Sequence, residues 1–137
     1  MILHYFIKKE SIDKKKSDKI YLSMINFTQL LVSKKTFNIK RNFNSSFELM
    51  TIFLFTFFFI YRDKKKNRKI NQYLMDLYII DIDKSLRELG IGDMGIGKYV
   101  KTYVNKIYYR IPKLEKTLKS NNYLDFEKYI INKKKSK

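Results

Sequence analysis

All four glycines of this 137-residue chain fall within eight positions, at Gly90, Gly92, Gly95 and Gly97. Glycine is the residue that reverses a backbone at no steric cost, so the chain has one place where a sharp turn is written into its chemistry. Everything else must fold around that turn. The surrounding stretch, ELGIGDMGIGKY, also contains two phosphate-binding patterns by letter. Gly90, Gly92 and Gly95 have the spacing G-x-G-x-x-G, and Gly92, Gly97 and Lys98 have most of a P-loop. Both patterns need a β-strand before the glycines and a helix after them. Here the preceding residues have helix periodicity, and Tyr99 stands where a P-loop places Ser or Thr. The nucleotide readings therefore fail on context. A turn between two helices fits instead, with Gly90 in the left-handed position that ends the first helix. Asp93 is expected as the N-cap of the second, and Gly95 and Gly97 in its first turns. Glycine in a helix interior costs about 1 kcal/mol relative to Ala, so another backbone is expected to pass close by.

The apolar spacing is helical nearly throughout. Ile20, Met24, Phe27 and Leu31 mark a helix over 18–32, and residues 34–46 read as a loop. Ser45 and Glu48 have capping-box spacing ahead of an apolar helix over 47–61, and 63–69 is a charged linker. A third helix is predicted over 70–89 and a fourth from the glycines to Ile111, stopped by Pro112. Residues 114–118 and 124–131 are short helical candidates, and 133–137 is a basic tail. No stretch alternates as a strand would. The fold class is all-α, a single-domain helical bundle with a Gly-rich αα-corner near residues 90–97. Its parts are an N-terminal segment (1–17), a helical domain (18–132) and the tail.

The apolar stretch 47–61 rises about 22 Å as a helix, short of the ~30 Å of a bilayer core. The favoured reading is a central buried helix, with an interfacial helix or a span as alternatives. The N-terminal run MILHYFI is short, and its positive charge follows rather than precedes it, so it is not a secretory signal.

Composition removes several functions. There is no Cys and one His, His4, so thiolate or multi-His metal sites and a Ser-His-Asp triad are excluded. No cofactor is expected. The net charge is +17, from 30 Lys and Arg against 13 Asp and Glu, which suits nucleic acid or an anionic membrane. Only five of the basic residues are Arg, and Ala is absent while Lys, Asn, Ile, Phe and Tyr abound. That bias follows A/T-rich codons, so part of the charge is compositional.

Against this basic background, 76–93 is an acidic island: Asp76, Asp81, Asp83, Glu88 and Asp93 beside only Lys84 and Arg87. Asp83–Arg87 and Lys84–Glu88 are spaced to pair. Asp81 shares the face of Leu74, Leu77, Tyr78, Ile82, Leu86 and Leu89, so its carboxylate must find a partner. A Tyr hydroxyl, a basic side chain or a helix N-terminus would serve; the alternative is a polar contact for another molecule. On the fourth helix Tyr99, Val100, Tyr103, Val104, Ile107 and Ile111 form a stripe read as core.

The run from Ile80 to Lys98 resembles the signature of the ubiquinol–cytochrome c chaperones, which assist assembly of the cytochrome bc complex (complex III). It coincides with that pattern at Asp81, Asp83, Leu86, Arg87, Glu88, Leu89, Gly90, Gly92, Asp93, Gly97 and Lys98. Downstream, Tyr108 and Arg110 match an aromatic segment in which Tyr109 replaces a glycine. The resemblance covers 47–112, with a fainter trace over 18–46. It implies a non-catalytic, all-α chaperone that binds newly made cytochrome b. It also implies a place at the bacterial inner membrane on the cytoplasmic side, or the matrix side in a mitochondrion, and contact with a second assembly factor and the ribosome. On this reading Asp81, Asp83, Arg87, Glu88 and Lys98 are partner-binding or orienting residues, and Gly90, Gly92, Asp93 and Gly97 hold the corner. The alternative is a basic RNA- or ribosome-binding helical module.

Overall fold

The computed structural model describes residues 2–62, 65–119, 124, 127 and 128, with side chains from position 12 onward except that of residue 66. Four helices carry the fold: α1 (Ile2–Ser33), α2 (Phe43–Ile60), α3 (Arg68–Glu88) and α4 (Asp93–Lys119). Short 3-10 turns at Lys35–Phe37 and Lys65–Asn67 lie in the first two connections, and there is no strand among the described residues. Cross-helix pairs give the directions. Tyr21 meets Asp81 and Lys14 lies over Tyr73, so α1 and α3 run parallel. Asn44 meets Tyr103 and Glu48 meets Arg110, so α2 and α4 run parallel. The result is an up-down-up-down four-helix bundle, the arrangement short connections favour.

The core follows a spacing of four residues along α3. Leu74, Tyr78, Ile82 and Leu86 are buried, and Leu54 of α2 and Ile107 of α4 close on them. Two polar groups are sealed in with their needs met. The Tyr78 hydroxyl donates to the Phe47 carbonyl at 2.9 Å and lies 2.9 Å from the Thr51 hydroxyl. Burial pushes the Tyr78 phenol above its ordinary pKa, so it stays a donor even at alkaline pH where an ordinary phenol ionises.

Several helix limits differ from those the sequence suggests. α1 is continuous from Ile2, because no Gly or Pro interrupts the residues before the apolar repeat begins. On α1 the buried positions with described side chains are Ser17, Tyr21 and Thr28, whereas Phe27 is half exposed beside Phe53 of α2. α2 starts at Phe43, capped by Asn42, whose side chain accepts from the Ser45 N–H at 2.8 Å. Ser45 and Glu48 therefore form no capping box; Asn42 occupies the capping position one turn earlier and Glu48 is drawn to Arg110.

α2 itself is buried along one side only, so it is not a core helix surrounded by protein. α4 passes through Pro112 and continues to Lys119. A proline inside a helix forfeits one bond to the fourth carbonyl back. Here it sits on the exposed side, and fully buried Leu114 just beyond it anchors the helix to the bundle. The expected helix over 114–118 is thus the end of α4. The candidate over 124–131 falls largely, and the tail over 133–137 wholly, outside the described residues.

Candidate functional site

The glycine corner joins α3 to α4. Gly90 has φ +98°, in the left-handed region, and its N–H donates to the Arg87 carbonyl at 3.0 Å. The Ile91 N–H reaches back to the Leu86 carbonyl at 3.2 Å, and both Ile91 and Leu86 join the core. This pair of bonds satisfies carbonyls in the last turn of α3. The segment entering the glycines is helix, so neither phosphate motif has the strand it requires.

Gly92, not Asp93, takes the N-cap of α4: its carbonyl accepts from Gly95 and Ile96 at 3.1 and 3.0 Å. Asp93 is the first helical residue, and its carboxylate is turned to Arg87. Arg87 also meets Asp83 at 2.7 Å. One guanidinium thereby links the last turn of α3 to the first turn of α4. The carboxylates of Asp93 and then Asp83 push Arg87 above its ordinary pKa, so the link is a fixed cation between two anions. The expected Lys84–Glu88 pair does not form. Both are exposed, without an ion-pair partner among the described residues.

Asp81 turns inward instead. The buried Tyr21 hydroxyl of α1 donates to its Oδ2 at 2.5 Å, and Ser85 approaches its Oδ1 at 3.4 Å. Burial first, and then this carboxylate, raise the Tyr21 pKa. A Tyr hydroxyl is thus the partner that the apolar face demanded. Asp83, Arg87 and Asp93 are brought together at the corner, Glu88 lies beside them, and Asp81 braces α1 against α3. Lys98 is exposed farther along α4.

No backbone passes close to the glycines of α4. A Cβ at Gly97 would meet nothing within 4 Å, and one at Gly95 only side chains at van der Waals distance. Met94, just before Gly95, is fully exposed and Leu89 is 64% exposed. The expected close approach is therefore not made within the chain, and the corner presents bare helix backbone and two apolar side chains outward.

Beside the corner runs a groove of about 1000 Å³ between the end of α1, the start of α2 and the end of α3. Leu30, Phe43 and Leu89 supply apolar walls; Asn26, Arg41 and Glu88 supply polar ones. Arg41 and Glu88 have no ion-pair partner among the described residues, so both charges are available to an occupant. Sequence reasoning found Glu88 but not the α1 and Arg41 side, because spacing within one helix says nothing of which other helix ends beside it.

Arg110 is the second residue it did not place. Its guanidinium reaches Glu48 at 2.7 Å, and their side chains are only 9% and 17% exposed. It also lies 5.2 Å over the Phe47 ring. The available signals were its match to the family's aromatic segment and the scarcity of arginine, five of the 30 basic residues. Among the described residues no cluster of acids and His could hold a metal.

The family model for the ubiquinol–cytochrome C chaperone matches residues 35–125. The chain belongs to this family. The match covers well over half the sequence and takes in the groove's α2 and α3 walls, the corner and the whole of α4. No curated protein and no solved structure matches the chain. Membership in the ubiquinol–cytochrome c chaperone family links the chain to assembly of the cytochrome bc complex.

Proposed function

We propose that this chain is a non-catalytic chaperone that binds newly made cytochrome b and delivers it to the assembling cytochrome bc complex. The observation that carries the reading is the groove beside the corner. It joins apolar walls to two charges of opposite sign that the bundle leaves uncompensated. An unfolded client segment offers apolar side chains together with scattered charges, and such a groove holds it by burial and orients it by charge. Bare helix at Gly97 lets a client backbone come closer than any side chain would allow. Glu88 and Lys98 are the charged contacts, Asp83 and Arg87 orient the corner, and Asp81 fixes the α1 wall. The chain works peripherally at the inner membrane, where a second assembly factor and the ribosome are its further partners. A strain lacking the gene should lose mature cytochrome b and complex III while keeping its other respiratory enzymes. Unchanged complex III in that strain would reject the reading.

A second reading, binding of RNA, is favoured by one feature of α4. Tyr99, Tyr108 and Tyr109 are exposed rather than core, among Lys98, Lys101 and Lys113. Exposed rings among cations are what single-stranded nucleic acid stacks on. RNA affinity that is tight and falls steeply with salt would support it, because counterion release scales with phosphate contacts. Weak, salt-independent binding would dismiss it.

A further inference from the structure

α2 is apolar over most of its surface, and only one of its sides is fully buried; the opposite side is partly exposed, most of all at Ile60. The covered side carries Phe47, Met50 and Leu54. By helical spacing the opposite side carries Leu49, Ile52, Phe53, Thr56, Phe59 and Ile60. Ile60 is 65% exposed, and 33% of the residues over Phe43–Ile60 are buried. Phe27 of α1, half exposed, lies with its ring 5.2 Å from that of Phe53 and widens the strip onto a second helix. By length and composition α2 is the one helix among the described residues that could cross a membrane. Its covered side forbids that: Glu48 is committed to Arg110 and Thr51 to Tyr78, so lipid cannot surround it.

The charge at its end indicates what covers the outer side. Residues 61–69 hold six basic side chains and one acid. Arg62 stands 3.9 Å over the Phe59 ring, so charge and apolar surface meet at one spot. Lys16 is exposed on the Phe27 side of α1 by helical spacing. Apolar rings flanked by cations suit the interface of an anionic bilayer, where rings enter the acyl boundary and cations pair with headgroups.

We propose that the outer face of α2, with Phe27 beside it, lies flat on an anionic lipid surface while Arg62, Lys65, Arg68 and Lys69 engage the headgroups. This deepens the peripheral placement proposed above by assigning the surface that makes it. Phe43 and Ser46, in the first turn of the same helix, line the groove. Docking through α2 therefore sets the client groove beside the bilayer, where a membrane-protein client becomes available.

The test is partitioning of the full chain between buffer and vesicles of phosphatidylcholine with or without phosphatidylglycerol. Binding is expected to the anionic vesicles and to weaken with salt. Each basic residue near such a surface contributes roughly five-fold, so Lys65→Glu with Lys69→Glu should weaken binding more than about tenfold. The same charge change on α4, Lys101→Glu with Lys116→Glu, should weaken it far less. Phe27→Ser with Ile60→Ser should weaken it at least about tenfold, with helix content checked by circular dichroism. The chain has no Trp, so Ile60→Trp gives a single reporter whose emission should shift to the blue on anionic vesicles.

An unshifted spectrum, equal losses from the two charge pairs, or a dimer broken by Phe27→Ser with Ile60→Ser in a chain that ignores vesicles would overturn the proposal. Loss of complex III in the deletion strain, with a chain that ignores vesicles, would defeat the docking surface and leave the assembly role standing. Vesicle binding with normal complex III would do the reverse.

Discussion

The Arg110 guanidinium of α4 meets the Glu48 carboxylate of α2 at 2.7 Å inside the bundle, with Glu48 Oε2 and Arg110 Nη1 both buried and given no further hydrogen bond by the protein. A buried pair of this kind is costly to break and contributes little net stability over an apolar replacement, because desolvation offsets most of the attraction. Arg110→Met alone should destabilise the chain by about 3–5 kcal/mol, since it strands a buried carboxylate. Arg110→Met with Glu48→Leu should recover most of that loss. Urea unfolding of the three proteins checks it, and a double variant as unstable as the single one would show that the pair itself holds the fold.

The Tyr21–Asp81 bond braces α1 against α3 in the same way, at shorter range. A hydrogen bond to a charged group contributes about 1.5–3 kcal/mol. Tyr21→Phe and Asp81→Asn should each cost that order, and the double variant about the same as either alone. Additive losses in the cycle would mean that the two residues act separately.

Alkali should unfold the bundle through its buried phenols. Tyr21 and Tyr78 both titrate above their ordinary value of 10.0, chiefly because burial disfavours the phenolate. Above pH 10 the unfolded chain releases protons that the folded chain keeps, so stability is flat below that pH and falls above it. The slope is about 1.4 kcal/mol per pH unit for each phenol. Tyr21→Phe, followed by urea unfolding at several alkaline pH values, should show a shallower decline than the parent. Identical slopes would mean that lysines or other tyrosines dominate.

Two glycines of the corner should respond in opposite directions. Gly90 is held at φ +98°, where a Cβ costs about 1–2 kcal/mol, so Gly90→Ala should destabilise by that amount. Gly97 is helical with open space around it. Gly97→Ala should stabilise by up to about 1 kcal/mol and yet lower the yield of cytochrome b, because the added methyl stands where the client approaches. Thermal melts and complex III levels in complemented cells separate the two effects. A stabilised Gly97→Ala that complements fully would remove Gly97 from the docking surface.

The α3–corner–α4 unit was legible in the sequence because its signals are local. Leu74, Tyr78, Ile82 and Leu86 repeat at helix spacing, Gly90 is of the residue type that most readily closes a helix this way, and Asp83 and Arg87 are one turn apart. What was not legible depends on neighbours distant in sequence. Phe27 fits the α1 stripe by spacing, but the bundle turns that edge toward Phe53 and solvent. Pro112 ought to end α4, yet burial of Leu114 outweighs one lost backbone bond. Asn42 caps α2 one turn before Ser45, and Glu48 is committed to Arg110 of another helix. At the site the charged residues were visible singly. Their grouping was not, since the groove needs Leu30 and Arg41 from elements that no spacing rule connects to Glu88.

The most direct test of the account is a photo-crosslinking amino acid placed at Met94, whose side chain is fully exposed at the corner, in cells assembling their respiratory chain. The account predicts a crosslinked product containing newly made cytochrome b, lost when Glu88→Lys is added. A Met94 probe that never captures cytochrome b, in cells where the same probe on the opposite end of the bundle does, would contradict it.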